Sequence, residues 1–416
     1  MKYLKLLLIT DSFPYASTEQ FLETEVKYYK NFNVTIMPQH GGKNCRSLNN
    51  ENIQIDNSLI DNMKLTNQEK IFYTLKILFS PYLIKECFHH NLFNISKLKS
   101  FRASMFNLYH YYNYFNQYFL QKNELENLIV YTYWNNEVTY ALQILKKKYG
   151  YKLISRIHGF DLYKERRVSR YMPLKSQFTK NIDKVYTITE SANKYLNQEY
   201  GFLDNQVEVS RLGVEDKKII SKPNKKNILH IVSCSFLTEV KQVHKIIETL
   251  VVLGKNNPNL EYLWTHIGDG YLYDDIYDLA KKLLSDVNNV KYDLKGEMKN
   301  QDVYKFYKQN NVDVFLNVSK SEGVPVSIME AMSCYIPIVA PDIGGISDMV
   351  ETRINGILLS HKPLVSEIVV ALNQDKFFKN EKIRKNSYKI FFSKYNAKKN
   401  YQEFINNLKM LLLDVR

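Results

Sequence analysis

The sequence predicts an α/β protein made of two doubly wound parallel-sheet domains. Three observations carry that prediction. The chain has 416 residues, 45% of them hydrophobic and 24% charged, which is more than a single core of ordinary size accommodates. Short β-branched or Leu-rich runs alternate with longer amphipathic stretches, the pattern of βαβ units. The alternation then starts afresh after Gly213 to Asn227, a polar and basic stretch that carries Pro223 and reads as an interdomain linker.

In the first series, strands are expected at Leu4 to Ile9, Val34 to Met37, Leu128 to Tyr131, Leu153 to Ile157 and Lys184 to Ile188. Helices are expected over Glu19 to Asn31, Asn67 to Phe79 and Glu137 to Lys148, and a shorter one over Ser191 to Gln198, opened by its Ser. Residues of about 67–122 form an insertion rich in Tyr, Phe, Leu and His with interspersed Lys and Arg. It reads either as helical core with solvated charge or as a surface that rests on anionic lipid. The second series has strands near Leu229 to Cys234, Tyr262 to Ile267, Val290 to Tyr292, Val312 to Val318 and Ile336 to Ala340. Tyr395 to Leu413 is amphipathic and helical. The expected domains are therefore 1–215 and 226–394, followed by a terminal helix over 395–416.

The formal charge of +14, from 57 Lys+Arg against 43 Asp+Glu, favours anionic partners such as phosphates or acidic lipid head groups. Nucleic acid fits worse, because no recognised binding module accompanies the charge. Cys45, Cys87, Cys234 and Cys334 show neither zinc-knuckle nor disulfide spacing, which fits a reducing cytoplasm. The apolar opening is stopped by Asp11, too soon for a signal peptide. No other stretch approaches the roughly 20 apolar residues of a membrane span, so any membrane contact is expected to be peripheral, at the inner face of the cell membrane.

The most informative segment runs from Ser319 through Glu322-Gly323-Val324-Pro325 to Glu330-Ala331-Met332. A strand should deliver a tight loop, Pro325 suits a helix start, and a helix should begin near Val326. The amides of its first turn and the helix dipole would suit a diphosphate, at the end of the strands where open α/β sheets bind ligands. Glu322 lies on the loop and Glu330 about a turn and a half into the helix, so the two could accept hydroxyls at different places on one ligand. On spacing alone they could equally be an exposed loop Glu and a helix-surface Glu.

This segment resembles the retaining family-4 glycosyltransferases of the GT-B fold, whose pattern E-G-x-[GP]-x-x-x-x-E-A-M it matches at every named position. Gly268-Asp269-Gly270 and Lys295-Gly296 upstream, and Asp342-Ile-Gly344-Gly345 and Asn355-Gly356 downstream, follow in the family's order. The resemblance implies two Rossmann-like domains facing a cleft, with a C-terminal helix crossing back to the first. It implies that Glu330 holds the donor ribose and Glu322 a hydroxyl of the transferring sugar, with Ser235, Gly268, Gly296 and the amides of Gly323, Val324 and Val326 around sugar and diphosphate. Val232 to Lys241 is similar to the family's pyrophosphate segment. Lys241 matches there, while the usual Arg is absent and Ser235 or Phe236 stands near its place, which leaves Arg211 as a further basic candidate. His158-Gly159-Phe160-Asp161 resembles the H-G-x-D segment that puts a His by the donor sugar.

Two further departures stand out. The first loop, Asp11 to Gln20, has no Gly-Gly pair, so Thr18, Glu19 and Gln20, with Trp134, are the acceptor-side candidates. Tyr335 replaces a frequent Gly after the Glu-bearing helix. By this resemblance the expected activity is transfer of a hexosyl group from a nucleotide diphosphate sugar, a UDP-sugar ahead of a GDP-sugar. The acceptor would be a glycan or lipid-linked glycan in cell-surface polysaccharide synthesis, reached with no cofactor and no metal. A GT-B epimerase or hydrolase, or a non-catalytic nucleotide-sugar-binding membrane partner, are the alternatives.

Overall fold

The computed structural model describes residues 4–15, 19–42, 44–48, 50–62, 65–90, 92, 94–122, 125, 127–225 and 227–413. Thr18 lies outside them. The chain divides into two compact units, Met1–Arg211 with Tyr401–Arg416, and Leu212–Asn400.

The first unit is built on seven strands: β1 (Leu4–Thr10), β2 (Phe32–Pro38), β3 (Ile53–Ile55), β4 (Leu128–Thr132), β5 (Lys152–Ile157), β6 (Lys184–Thr187) and β7 (Val207–Val209). They lie in the order β3-β2-β1-β4-β5-β6-β7. Every ladder is parallel, with Leu6 opposite Val34 and Leu8 opposite Tyr131. Such a sheet is covered on both faces, which is why its strands read as continuous apolar runs. The second unit repeats the plan with β8 (Ile228–Cys234), β9 (Glu261–Ile267), β10 (Val290–Leu294), β11 (Val314–Leu316), β12 (Ile338–Pro341) and β13 (Gly356–Leu359), all parallel, in the order β10-β9-β8-β11-β12-β13. Each sheet reverses its winding once, between β1 and β4 and between β8 and β11. These are the switch points at which doubly wound sheets bind ligands.

Three strands absent from the sequence reading, β3, β7 and β13, are edge strands of three or four residues, too short to show a period. The stretch expected as a linker is part of the second unit from Leu212 onward. Ser221 donates its N–H to Cys334 O at 3.1 Å and accepts from buried Arg384 at 2.6 Å, and Asn224 N–H bonds Asp313 Oδ1 at 2.8 Å. A segment whose backbone polar groups are satisfied by a neighbouring domain belongs to that domain. The Ser expected to open the helix Glu190–Tyr200 is not its cap; Thr189 is, its hydroxyl accepting from Ala192 N–H at 3.1 Å.

The last helix spans Ala397–Leu413. Its residues from Tyr401 onward belong to the first unit, where Phe404, Ile405 and Leu408 join the cluster of Leu6, Leu8, Val34 and Ile36. Phe404 also lies 4.7 Å from the guanidinium of Arg156, which is fully buried, 3.3 Å from Glu25, and donates to Tyr131 Oη at 2.7 Å. Among the described residues the insertion is three helices, Asn67–Leu78, Pro81–His90 and Ile95–Leu120. The longest is core, burying Phe101, Met105, Leu108, Phe115 and Phe119. Among the described residues no helix is long and apolar enough to cross a membrane.

Candidate functional site

In the second unit, β11 leads through Asn317 and Ser319 to Glu322, and the helix Val326–Ser333 follows. Its N-cap is Pro325, and no side chain caps it. The first-turn N–H groups have no intrahelical partner and carry the positive end of the helix dipole. Neither glutamate is a surface residue: Glu322 is 8% and Glu330 7% exposed. Glu322 Oε1 accepts from Lys241 Nζ at 2.6 Å, Ser319 Oγ at 2.6 Å and Asn317 Nδ2 at 3.1 Å. Glu330 accepts from Asn300 Nδ2, and its burial pushes the carboxyl up to about 7 against that bond. Asn317 and Asn300 were not singled out from the sequence, and Ser319 was named only as the start of the Glu322 segment. Asn317 and Ser319 flank the Glu motif, but Asn300 reaches Glu330 from another helix, which no local pattern announces.

The glycines of the motif make room for loops. Gly268, at φ +138°, approaches so closely that a Cβ there would lie 1.9 Å from Ser235 O. Its N–H bonds Gly296 O at 2.8 Å, and Ser235 N–H bonds Ile267 O at 3.0 Å. Gly344, at φ +55°, would put a Cβ 2.2 Å from Glu322 O, and Gly345 N–H bonds Gly323 O at 2.7 Å. The Gly344-Gly345 pair therefore supports the Glu322 loop from behind. A buried chain supports the Ser235 loop. Since Ser235 O can only accept, His266 Nε2 donates to it at 3.2 Å; Nδ1 then accepts from Ser233 Oγ at 2.8 Å, and that oxygen accepts from Trp264 Nε1 at 3.0 Å. Burial lowers His266 to about 4, so the imidazole is neutral. Lys320 N–H bonds Val240 O at 2.7 Å, bringing the Lys241 turn alongside the Glu322 loop. Tyr335 takes the left-handed conformation usual for Gly, φ +65°, and its ring stacks on Tyr388 at 4.3 Å.

In the first unit, His158 follows β5 and is the N-cap of the short helix Gly159–Leu162. Its ring packs 4.7 Å from the rings of both Tyr133 and Trp134, and its Nε2 is buried without a hydrogen-bond partner. Burial and the nearby Arg156 charge lower it to about 3, so it too is neutral. Asp161 accepts from His158 N–H and Asn135 N–H, each at 2.7 Å. Lys175 donates to Asn135 O and Oδ1 at 2.7 and 2.8 Å. Burial raises Asp161 and lowers Lys175, and each opposes the shift of the other.

Glu19 organises the first loop. Its Oε1 accepts from Asp11 N–H at 2.9 Å and Trp134 Nε1 at 2.7 Å; its Oε2 accepts from Ser12 N–H at 2.9 Å and Phe13 N–H at 2.7 Å. Both carboxylate oxygens, and the Trp134 N–H, are thus engaged in holding the loop. Gln20 opens the helix Gln20–Glu25 and is exposed. Arg211 is paired with Glu190 at 3.0 Å. A cavity of about 630 Å³ opens beside Trp134, Asn135, Phe160, Asp161 and Arg167, and is walled by Ser100 and Ser104 of the insertion. Arg167 lies 3.8 Å over the Phe160 ring, and Asn135, 1% exposed, has an unpartnered Nδ2.

The chain is similar to glycosyltransferases named for bacterial polysaccharide synthesis. WcaL of Escherichia coli K12, named for colanic acid biosynthesis, is 26% identical over 220 residues, 50% of this chain and 51% of that protein. The amylovoran biosynthesis glycosyltransferase AmsK of Erwinia amylovora is 30% identical over 163 residues, 37% of this chain and 38% of its own. The chain thus spans about half the length of the curated relatives it matches, or less. Among solved structures, HepE of Anabaena, crystallised with UDP, superposes with a TM-score of 0.62 at 15% identity, covering 98% of this chain and 100% of that one. The fold is GT-B. Residues 214–390, which hold Glu322, Glu330 and Lys241, match the family described as glycosyl transferases group 1.

Proposed function

We propose that the protein is a retaining, metal-independent glycosyltransferase of cell-surface polysaccharide synthesis. It moves a hexosyl group from a nucleotide diphosphate sugar, a UDP-sugar in preference to a GDP-sugar, to a glycan or lipid-linked glycan. It works at the cytoplasmic face of the membrane, in peripheral contact with anionic lipid. The observation that carries this reading is the Glu322–Lys241 pair, 2.6 Å apart and set beside the uncapped helix Val326–Ser333. An ammonium has three N–H donors and Glu322 takes one, so Lys241 can also meet a diphosphate oxygen. First-turn amides of the helix, with those of Gly323 and Val324, meet the remaining phosphate charge. Ser235, Gly268 and Gly296 line the loops around the donor. Glu330 accepts the ribose hydroxyls and Glu322 a hydroxyl of the sugar.

As the glycosidic bond to the diphosphate breaks, the acceptor oxygen bonds the anomeric carbon from the same face, and a departing phosphate oxygen takes the acceptor proton. The protein contributes positioning and electrostatics. His158 is the residue that the resemblance puts by the sugar, and the cavity of the first unit beside Trp134 and Phe160 takes the acceptor. The UDP and UDP-glucose complexes of HepE support the donor class, and the polysaccharide names of the relatives support the pathway class.

The test is release of nucleoside diphosphate from a panel of nucleotide sugars with bacterial glycolipid as acceptor. Turnover should persist in EDTA. Glu322→Ala should lower kcat about a hundredfold with nearly unchanged affinity for free UDP, since a charged hydrogen bond is worth about 1.5 to 3 kcal/mol. Failure of every sugar nucleotide to bind, or activity restored only by Mg²⁺ or Mn²⁺, would overturn the corresponding part.

A further inference from the structure

A concentration of exposed apolar side chains lies on the insertion. Among the described residues 26 large apolar side chains stand in solvent, and nine of them fall between Ile71 and Leu98. On Asn67–Leu78, buried Tyr73 and Ile77 face the domain, while Ile71, Leu75 and Leu78 follow at i, i+4 and i+7 on the outer side, with Phe72 and Phe79 beside them. On Pro81–His90, Glu86 turns inward and bonds Tyr171 Oη, Leu174 N–H at 3.1 Å and Gln177 Nε2 at 2.9 Å. That clamp fixes the helix, and Ile84 and Phe88 are left facing out. Phe79, at the turn between the two helices, is 87% exposed and Phe88 84%. Large apolar side chains exposed in such number on two successive helices mark a site of interaction.

The charge around it selects the partner. Residues 67–102 carry Lys70, Lys76, Lys85, Lys97, Lys99 and Arg102 against Glu69 and Glu86, a net of +4. Glu86 is buried and Glu69 is taken up in the capping box with Thr66, whereas all the basic residues except half-buried Lys97 are exposed. Lysine is depleted from protein–protein interface cores, and two copies of a face this basic would repel each other. Exposed aromatic and aliphatic side chains interleaved with Lys are instead the composition that settles into the head-group layer of an anionic bilayer.

We infer that the helices Asn67–Leu78 and Pro81–His90 dock this protein on an anionic bilayer surface, with Phe72, Phe79 and Phe88 entering the interfacial layer. The inference deepens the membrane part of the proposed function, and it rests on that function only for its purpose, access to a lipid-linked acceptor. The docking itself is independent of catalysis.

The test is co-sedimentation of the full chain with vesicles of phosphatidylcholine, and of phosphatidylcholine mixed with phosphatidylglycerol. The wild type should bind the anionic vesicles, bind less in high salt, and bind neutral vesicles weakly. The double variant Phe79→Glu/Phe88→Glu should lose about tenfold in partitioning, because two charges enter the interfacial layer, with an unchanged melting temperature. A Phe79→Trp variant should show fluorescence quenched by brominated lipid. Equal binding by the double variant, equal binding to neutral vesicles, or a dimer in solution that the double variant dissociates would overturn the inference. Release of nucleoside diphosphate from a sugar nucleotide in solution should be unaffected by Phe79→Glu/Phe88→Glu. Glu322→Ala should still sediment with vesicles, so failure of docking and failure of the transferase reading give different results.

Discussion

The two switch points of this molecule are built on the same sheet plan and finished in opposite ways. At the end of β1 the amides of Asp11, Ser12 and Phe13 converge, and the Glu19 carboxylate occupies them. At the end of β11 the following helix begins without a side-chain cap, and the carboxylate nearby, Glu322, is held by Lys241, Asn317 and Ser319. One loop supplies its own anion, while the other leaves the first-turn amides of its helix without a side-chain cap. The buried titratable groups follow the same division. Burial lowers the base His158 in the first unit to about 3 and raises the acid Glu330 in the second to about 7, so each site favours a neutral form through opposite movements.

The comparison is sharpest at Glu19. Glu19→Ala leaves three backbone N–H groups and the Trp134 indole unpaired, and a stability loss on the order of 3 kcal/mol is expected, with UDP affinity nearly unchanged. Chemical denaturation and calorimetry read the two quantities separately. A variant that lost UDP binding but not stability would show that Glu19 serves the ligand and break the contrast.

His158 gives the next effect. Its folded pKa is depressed below the ordinary value near 6.5, so the stability it contributes is present above pH 6.5 and is lost as pH falls toward 3. At pH 5 about 2 kcal/mol should be gone. His158→Gln should flatten that part of the profile; an unchanged slope would mean that the imidazole can protonate in place.

The smallest effect concerns Glu330, whose folded pKa is raised from 4.5 to about 7. The sign is opposite: its contribution to stability is full below 4.5 and is lost as pH rises through 7. Under the proposed function ribose hydroxyls bind the ionised form, so the affinity for UDP should rise with pH through about 7 and be matched by proton release below it. Glu330→Gln should weaken UDP about tenfold and remove the part of the pH dependence beyond that of the nucleotide itself. If both proteins showed the same pH profile, Glu330 would not be the group that meets the ligand.

Much of this architecture was legible in the sequence because its signals are local. The apolar run Leu4 to Ile9 can only be buried on both faces, and Gly323-Val324-Pro325 ends a loop and opens a helix within a few residues. The need for glycine at 268 and 344 was visible as a motif, but its cause was not: a backbone oxygen of another loop lies where a Cβ would stand. Edge strands of three or four residues left no period to read, and the segment after Leu212 looked like a linker because the groups that satisfy it, Cys334 and Arg384, are more than a hundred residues away. The sequence by itself determined the two parallel sheets and the order of the motif, since these depend on periodicity and turn chemistry. Only the tertiary structure decided that Lys241 meets Glu322, that Asn300 meets Glu330 and that Glu19 fills its own loop. Hydrogen bonds and burial depend on which distant side chains the fold brings within about 3 Å, and no spacing along the chain encodes that distance.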